Sequence, residues 1–366
     1  MLPFAFNMNS NPQKQTHRCK NSWRRVLLFF AILSMHSLLS GCYLLQAAKG
    51  QLAISTQREP ISKVIADPST SPTTSARLRM IADAREFASK ELGLPDNESY
   101  RTYVNLKRDY VVWNVFATER FSVDARQWCF PIAGCVVYRG YFNEQAAQRY
   151  ARRARLNGSD ASVAGTAAYS TLGHFNDPVL SSMLRWSDAQ IAATLFHELA
   201  HQVLYVPNES SFNEAFASVV EEEGARRWLN RRDANAINAW LLARARGVEF
   251  TQLLLDARER LRGLYKNAPA ESRLNGELHY QKQIAFGRLK FDYGQLKQRW
   301  NGYAGYDAWF NRTLSNADLI SAATYQDCVP GLERLLDSVD RDLPRFYEAA
   351  SKLNAAARTE VCSGAE

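Results

Sequence analysis

The stretch from Trp186 to Trp228 constrains the fold most, because signals for helix starts and stops surround a short motif with two histidines. Ser187 precedes an apolar periodic run and Gln190 lies three residues later, which is the spacing of a capping box and predicts that a helix begins there. Val206 precedes a proline, and helical backbone is disfavoured at that position. The helix is therefore predicted to end near Tyr205.

This helix carries the motif H-E-L-A-H at residues 197–201. Side chains four residues apart project from one face of a helix, so the imidazoles of His197 and His201 can reach one metal ion. A catalytic zinc ion takes three protein ligands and keeps one position for water, whose proton Glu198 can accept as general base. The motif therefore predicts a catalytic zinc site that lacks one ligand.

The missing ligand is predicted to be Glu214, which follows His201 after an intervening segment of twelve residues. Ser211 and Glu214 have the spacing of a second capping box, so a second helix is predicted to begin at Ser211, to carry Glu214 in its first turn and to end near Arg231. One zinc ion held by two imidazoles and this carboxylate is the predicted cofactor. The alternative is an ordinary amphipathic helix with two histidines, in which Glu214 only caps its own helix.

The motifs H-E-L-A-H and N-E-A-F-A-S-V-V-E, at 197–201 and 213–221, resemble those of zincin peptidases with a glutamate as third ligand, such as thermolysin and the alanyl-aminopeptidase family. The chain after residue 40 also resembles a bacterial lipoprotein family described as predicted aminopeptidases. The motifs that carry this second resemblance are L-S-G-C-Y at 39–43, W-C-F-P-I-A-G-C-V-V-Y-R-G-Y-F at 128–142 and A-A-Y-S-T-L-G-H-F-N-D-P at 167–178.

Both resemblances imply a zinc-dependent peptidase that hydrolyses peptide substrates in the cell envelope, with aminopeptidase as the first expected specificity. The gap from His201 to Glu214 is shorter than in those zincins. The sequence also has no G-x-M-E-N segment, which helps the alanyl-aminopeptidase family to hold the free amine of a substrate. Endopeptidase activity is therefore an alternative. Another is a non-catalytic envelope lipoprotein that binds a protein partner through its helical half.

Five further residues are candidates for supporting roles. Glu221 lies seven residues after Glu214 on the same helix face, where the resembling zincins also carry an acid, and it would hydrogen-bond a ligand histidine. A solvated acidic patch is the alternative for Glu221. A developing oxyanion needs a donor besides the metal, although each candidate donor is alternatively a packing residue or an already satisfied polar group. The candidate donors are Tyr169, His174, His279 and Tyr280.

Residues 1–41 have the features of a secretion signal. An arginine pair precedes the apolar run 26–39, which is too short for a comfortable membrane span. The run ends in L-S-G-C, which resembles the lipobox of bacterial lipoproteins and would make Cys42 the lipid-bearing first residue. A lipid on Cys42 would attach the protein to a membrane in an oxidising compartment, and Tyr43 is compatible with the periplasmic face of the outer membrane. An ordinary signal peptide or a membrane anchor is the alternative.

Four cysteines remain after the signal and the lipid-bearing residue, and they allow three pairings. The most economical pairing joins Cys129 to Cys135 across a turn and Cys328 to Cys362 around the C-terminal helical segment. A C-x₅-C zinc clip at the first pair is the alternative. No second pair of thiols or histidines lies near it in sequence, which favours disulfides.

Composition is compatible with a large core and gives no indication of a nucleic-acid partner. The 366 residues are 46% hydrophobic and 22% charged. The formal net charge is +8, but five cations lie in residues 1–41, which contain no acid, so +3 remains for the rest of the chain. A balance this weak does not predict binding to nucleic acid.

Periodicity predicts a fold of class α+β that is mostly helical, with a zincin-like core, a small sheet and a C-terminal helical bundle over one side of the site. Predicted helices outside the zinc motif cover 75–92, 143–156, 234–264, 271–300 and 331–354, and predicted strands cover 110–118, 135–141 and 163–171. The last strand is expected at a sheet edge above the metal, where an extended peptide would bind by β-augmentation.

The predicted organisation is a signal peptide at 1–41, a tether at 42–74 and a single zincin-like peptidase domain at 75–366. Within that domain, 75–231 would hold the sheet and the zinc helices, and 232–366 the bundle.

Overall fold

The structure is a computed structural model of residues 1–366, and it describes residues 43, 45–130, 134–168, 171, 175–232, 234–320 and 328–363. The chain divides into two units, residues 1–53 and 54–366. In the first unit, residues 45–53 belong to helix α1, which ends at residue 56. Among the described helices, none combines the length and the apolar character that a membrane-crossing segment needs.

The second unit is mostly helical, and its strands are short. The strands are β1 (Glu59–Pro60), β2 (Thr102–Val104), β3 (Val112–Glu119), β4 (Trp128–Phe130), β5 (Gly134–Val136), β6 (Arg139–Tyr141), β7 (Ser159–Thr166) and β8 (Val179–Leu180). The helices are α2 (Ile61–Ala66), α3 (Pro72–Leu92), α4 (Glu144–Leu156), α5 (Asp188–Ala200), α6 (Ser210–Asn230), α7 (Ala234–Asn267), α8 (Ala270–Leu274), α9 (Glu277–Arg299), α10 (Asp307–Phe310), α11 (Val329–Ser338), α12 (Leu343–Lys352) and α13 (Ala355–Ser363). The predicted class, α+β and mostly helical with a small sheet, is confirmed.

The main sheet has the strand order β6-β3-β7, and both pairings are antiparallel. Strand β3 is central and buries Val115 and Ala117 completely. Strand β7 lies at an edge, as predicted, although it covers 159–166 rather than 163–171. The strand predicted at 135–141 is interrupted after Val136, so its two halves, β5 and β6, belong to different sheets.

The largest core is helical and is shared by α3, α5, α6, α11 and α12. Helices α7 and α9 pack against each other and share a second core with residues around 310–319. The predicted C-terminal bundle is therefore divided, because α11 and α12 pack with the zinc-motif helices. The single helix predicted at 331–354 is wrong, since Asp340 and Arg341 both have positive φ and end α11 before α12 begins.

The segment predicted as a tether contains more regular structure than expected. Strand β1 pairs with β2, and α2 packs against α3. Helix α3 begins at Pro72 rather than at residue 75, because the Ser71 hydroxyl accepts a hydrogen bond from the Thr74 N–H at 3.1 Å. It ends as predicted at Gly93, whose φ of 66° gives the left-handed C-cap that glycine favours.

Two disulfides have the predicted pairing. Cys129 and Cys135 lie opposite each other in the β4–β5 hairpin and are bonded. Cys328, the N-cap of α11, is bonded to Cys362 in α13. The second bond therefore fixes the C-terminal helix to the helix that packs on α6.

Gly224 allows α6 to lie close to the helices that carry the rest of the main core. A Cβ atom at this position would lie 2.7 Å from Leu92 Cδ1 and 2.9 Å from Phe196 Cδ2, which is closer than carbon atoms approach without movement. Leu92 and Phe196 are both fully buried, so neither side chain has solvent to move into. The packing of α6 on α5 therefore requires glycine at this position.

We predict that Gly224→Ala lowers the free energy of unfolding. Overpacking a core costs about 1–3 kcal/mol, which exceeds the gain of about 0.5–1 kcal/mol from replacing glycine by alanine within a helix. Gly287→Ala in α9 is the matched control, because its added methyl group would meet nothing within 4 Å and should stabilise the protein. Urea unfolding of both variants measures the difference, and equal shifts in the same direction would contradict the packing argument.

Candidate metal centre

Helix α5 begins as predicted and ends earlier. The Ser187 hydroxyl accepts a hydrogen bond from the Gln190 N–H at 3.2 Å, which satisfies a free donor of the first turn. The helix ends at Ala200 and not near Tyr205, and His201 is its C-cap. The His201 N–H still donates to the His197 carbonyl at 3.3 Å, so the two histidines remain one helical turn apart.

Helix α6 begins at Ser210 with Glu209 as its N-cap, and no side chain caps it. The capping box predicted at Ser211 is therefore wrong, and Glu214 lies beyond the first turn. The Glu209 carboxylate instead accepts hydrogen bonds from the Arg358 guanidinium at 2.6 and 2.8 Å, which ties the start of α6 to α13.

Asn213 holds the segment between α5 and α6 in place. Its Oδ1 accepts a hydrogen bond from the Val206 N–H and its Nδ2 donates to the Val206 carbonyl, both at 2.8 Å. Asn213 is almost fully buried, so these two bonds satisfy its own amide group and tie it to the backbone of Val206. The residue after Asn213 is Glu214, which is thereby fixed beside the C-terminal end of α5. Sequence reasoning missed this role, although the proline after Val206 already indicated a turn that needs support.

The three predicted ligands lie together. Their ligand atoms all lie within 4.8 Å of one another. The Oε2 atom of Glu214 lies 3.3 Å from His197 Nε2, and its Oε1 lies 3.7 Å from His201 Nε2. Two ligands about 2.0–2.1 Å from a tetrahedral zinc ion would be separated by about 3.3 Å, so small adjustments would bring this group to that geometry. The His-His-Glu group could bind a metal ion.

Burial and hydrogen bonding also fit ligation. His201 is 5% exposed, which fits a ligand shielded from solvent, but its Nδ1 has no hydrogen-bond partner among the residues that the structure describes, so no described hydrogen bond orients this ring. The Nδ1 of His197 lies 3.0 Å from Glu221 Oε2. A proton on that nitrogen leaves the lone pair on Nε2, the atom that faces Glu214. A hydrogen bond from the other ring nitrogen orients histidine ligands in metal sites in the same way.

Electrostatics keep the carboxylates of this group ionised. Burial raises the pKa of the Glu214 and Glu221 carboxyls, but the neighbouring histidines outweigh it and the net shift is downward. Burial lowers the pKa of His197, whereas hydrogen bonds to these two carboxylates raise it to about 10. Burial and the adjacent His197 charge lower the pKa of His201 to about 4. Among the protein groups alone, a proton on His197 offsets one of these two negative charges, and a bound cation can take over that role.

The other candidates lie elsewhere or outside the described residues. Glu198 lies on α5 between the two histidines and is half-buried. His279 and Tyr280 lie in the first turn of α9, both are exposed, and neither side chain hydrogen-bonds a described residue. No described contact joins either side chain to the His-His-Glu group, and their role as donors stays a prediction. The predictions for Tyr169, His174 and Cys42 fall outside the residues that the structure describes.

In a comparison with protein families, the chain matches a family model described as "Putative aminopeptidase" over residues 42–361. The chain belongs to this aminopeptidase family. Membership suggests peptidase activity, because the match covers most of the chain and includes the His-His-Glu group. No curated protein matches the chain. No solved structure matches it either.

We predict that Glu221→Gln weakens the binding of a divalent metal ion by this member of the aminopeptidase family about 10- to 100-fold, the usual cost of losing a group that supports a metal ligand. The amide keeps the size of the side chain but removes the negative charge that favours a hydrogen bond from the His197 Nδ1–H. Competition with a chromophoric chelator measures the affinity.

Glu222→Gln is the matched control, because Glu222 is the next residue on α6 and shares the Arg244 guanidinium with Glu221. No contact joins Glu222 to His197 in the described residues. If both variants lost affinity equally, general charge rather than the His197 contact would explain the effect.

Proposed function

We propose that the protein is a zinc-dependent peptidase of the cell envelope, with aminopeptidase as its first specificity. The observation that carries the proposal is the convergence of His197, His201 and Glu214 from two packed helices, in a chain of an aminopeptidase family. The resemblance of the 197–201 and 213–221 motifs to glutamate-type zincins supports the same conclusion.

The proposed zinc ligands are the Nε2 atoms of both histidines and the Glu214 carboxylate. Two neutral imidazoles and one carboxylate form a donor set that suits zinc and leaves a fourth position for solvent. A zinc ion bound there would supply Lewis-acid activation of a water molecule and of the peptide carbonyl. Glu214 would in addition neutralise part of the charge of the cation.

Glu198 is the proposed general base and then general acid. It follows His197 directly on α5, so its carboxylate starts beside the ligand group. It would accept the proton of the attacking water and afterwards deliver that proton to the nitrogen of the departing amine as the C–N bond breaks. One carboxylate can perform both transfers, because the product amine needs the proton that the water loses.

We predict that Glu198→Gln retains zinc and loses about 10²- to 10⁴-fold in kcat, the usual contribution of general acid–base catalysis. The measurement pairs metal content with hydrolysis of a peptide panel. Glu222→Gln is again the control and should leave kcat within a few-fold of wild type. Unchanged activity of the Glu198 variant would contradict its role.

The same panel tests specificity when each peptide is supplied with a free and an acetylated N-terminus. An aminopeptidase cleaves only the free form and releases the first residue, whereas internal cleavage of both forms identifies an endopeptidase. A zinc-loaded wild-type protein that cleaves neither form would support the non-catalytic alternative.

The proposed location is the periplasmic face of the outer membrane, with a lipid on Cys42. The L-S-G-C sequence at 39–42 supports lipidation, and two disulfides fit an oxidising compartment.

We predict that Cys42→Ser moves the protein from the membrane fraction to the soluble periplasmic fraction of a Gram-negative host. Mass spectrometry of the N-terminus gives the second readout. A wild-type protein without acyl chains would contradict the anchor and leave the peptidase proposal intact.

A further inference from the structure

Arg244, on a different helix, contacts the carboxylate that lies beside the His-His-Glu group. It lies on α7, and its guanidinium donates to Glu221 Oε1 at 3.3 Å and to Glu222 Oε2 at 2.8 Å. The other oxygen of Glu221 lies 3.0 Å from His197 Nδ1. A continuous series of contacts therefore runs from α7 through one carboxylate of α6 to a candidate ligand on α5.

The two contacts of Glu221 fix the plane of its carboxylate. With one oxygen on Arg244 and the other facing His197, rotation about the terminal torsion would break a contact at each end. Glu221 is 19% exposed, so water can replace neither contact easily. Arg244 thus fixes the Glu221 carboxylate, and that carboxylate orients the His197 imidazole. A supporting residue limits the movement of a metal ligand in this way.

Arg244 is itself anchored in the main core. Its guanidinium carbon lies 5.7 Å from the centre of the Trp240 ring, one turn earlier on α7. Trp240 is 7% exposed and belongs to the same core as the residues of α5 and α6. A guanidinium can bridge two carboxylates in one plane, whereas a lysine ammonium acts as a single point charge. The position therefore favours arginine for its shape as well as its charge.

We propose that Arg244 is a positioning residue of the metal centre, which acts through Glu221 to orient His197 and so raises the affinity for zinc. The inference rests on the proposed zinc function and deepens it. It makes the position of α7, and not only the motifs on α5 and α6, a determinant of metal affinity. It also predicts that the bridging geometry of arginine matters beyond its charge.

The test measures zinc affinity with Zn²⁺ alone, by competition with a chromophoric chelator, for Arg244→Met and Arg244→Lys. The methionine variant should bind zinc about three- to tenfold more weakly, at or below the lower end of the range for groups that support a metal ligand. The lysine variant should recover part of this loss, because it restores the positive charge without the planar guanidinium that bridges two carboxylates. Circular dichroism of the metal-free variants verifies that each one is folded. If the methionine variant does not fold, the lysine variant alone still tests the inference.

Arg260→Met is the matched control. Arg260 lies on the same helix and pairs with Asp292 of α9, so the same change removes an ion pair from α7 without touching Glu221. Its zinc affinity should equal that of wild type. An equal loss in both variants would indicate general destabilisation of α7 and would overturn the inference.

A double-mutant cycle identifies the route of the effect. In the Glu221→Gln background, Arg244→Met should change zinc affinity by about twofold or less, because its connection to His197 is already broken. In the Glu222→Gln background, the full effect should remain. The positioning role would be overturned if the effect of Arg244→Met disappeared only in the Glu222→Gln background. It would also be overturned if the single Arg244 variants bound zinc as tightly as wild type.

The two proposals can fail separately. A wild-type protein that binds no zinc would overturn the proposed function and the inference together. A wild-type protein that binds zinc and loses it in His201→Ala, but not in the Arg244 variants, would keep the proposed function and overturn only the inference.

Discussion

The close packing of α5 on α6 is the constraint on which the metal group depends. His197 and His201 come from one helix and Glu214 and Glu221 from the other, so any change in the separation of the helices moves imidazoles relative to carboxylates. Gly224 and the fully buried Phe196 bring the helix backbones together. At this separation the side chains meet at hydrogen-bonding distance, and apolar packing therefore determines the geometry of a polar site.

Local sequence signals predicted those parts of the site that local chemistry determines. The spacing of His197 and His201 is a property of one helix, and the Ser187 cap fixes where that helix begins. The link to Glu214 came from resemblance and from a plausible length of connecting chain. Its structural basis, the pair of hydrogen bonds between Asn213 and Val206, is a side-chain contact to backbone across a turn. No periodicity in the sequence indicates such a contact.

A long-range contact lies at two of the wrongly predicted helix boundaries. Ser211 has the right spacing for a capping box, yet α6 begins before it, and its N-cap Glu209 pairs with Arg358 from a helix near the end of the chain. The predicted helix at 331–354 is divided by two residues of positive φ, and neither of them is glycine. Arg341 at that break pairs with Glu223 of α6 at 2.9 Å, so a tertiary ion pair accompanies the local backbone strain. The local spacing of residues does not reveal contacts of this kind.

Charge explains why these helices gather so many ionisable groups in a largely apolar core. Glu214 and Glu221, seven residues apart on one face of α6, are half-buried beside His197, and carboxylates withdrawn from water without a partner would be costly. The positive charge of Arg244 compensates the carboxylate of Glu221. A proton on His197 compensates the carboxylate of Glu214. A divalent cation at the His-His-Glu group would replace that proton and add one further positive charge, so the acidic face of α6 is better balanced with a metal than with a proton. The same charges that would destabilise an empty core therefore favour metal binding.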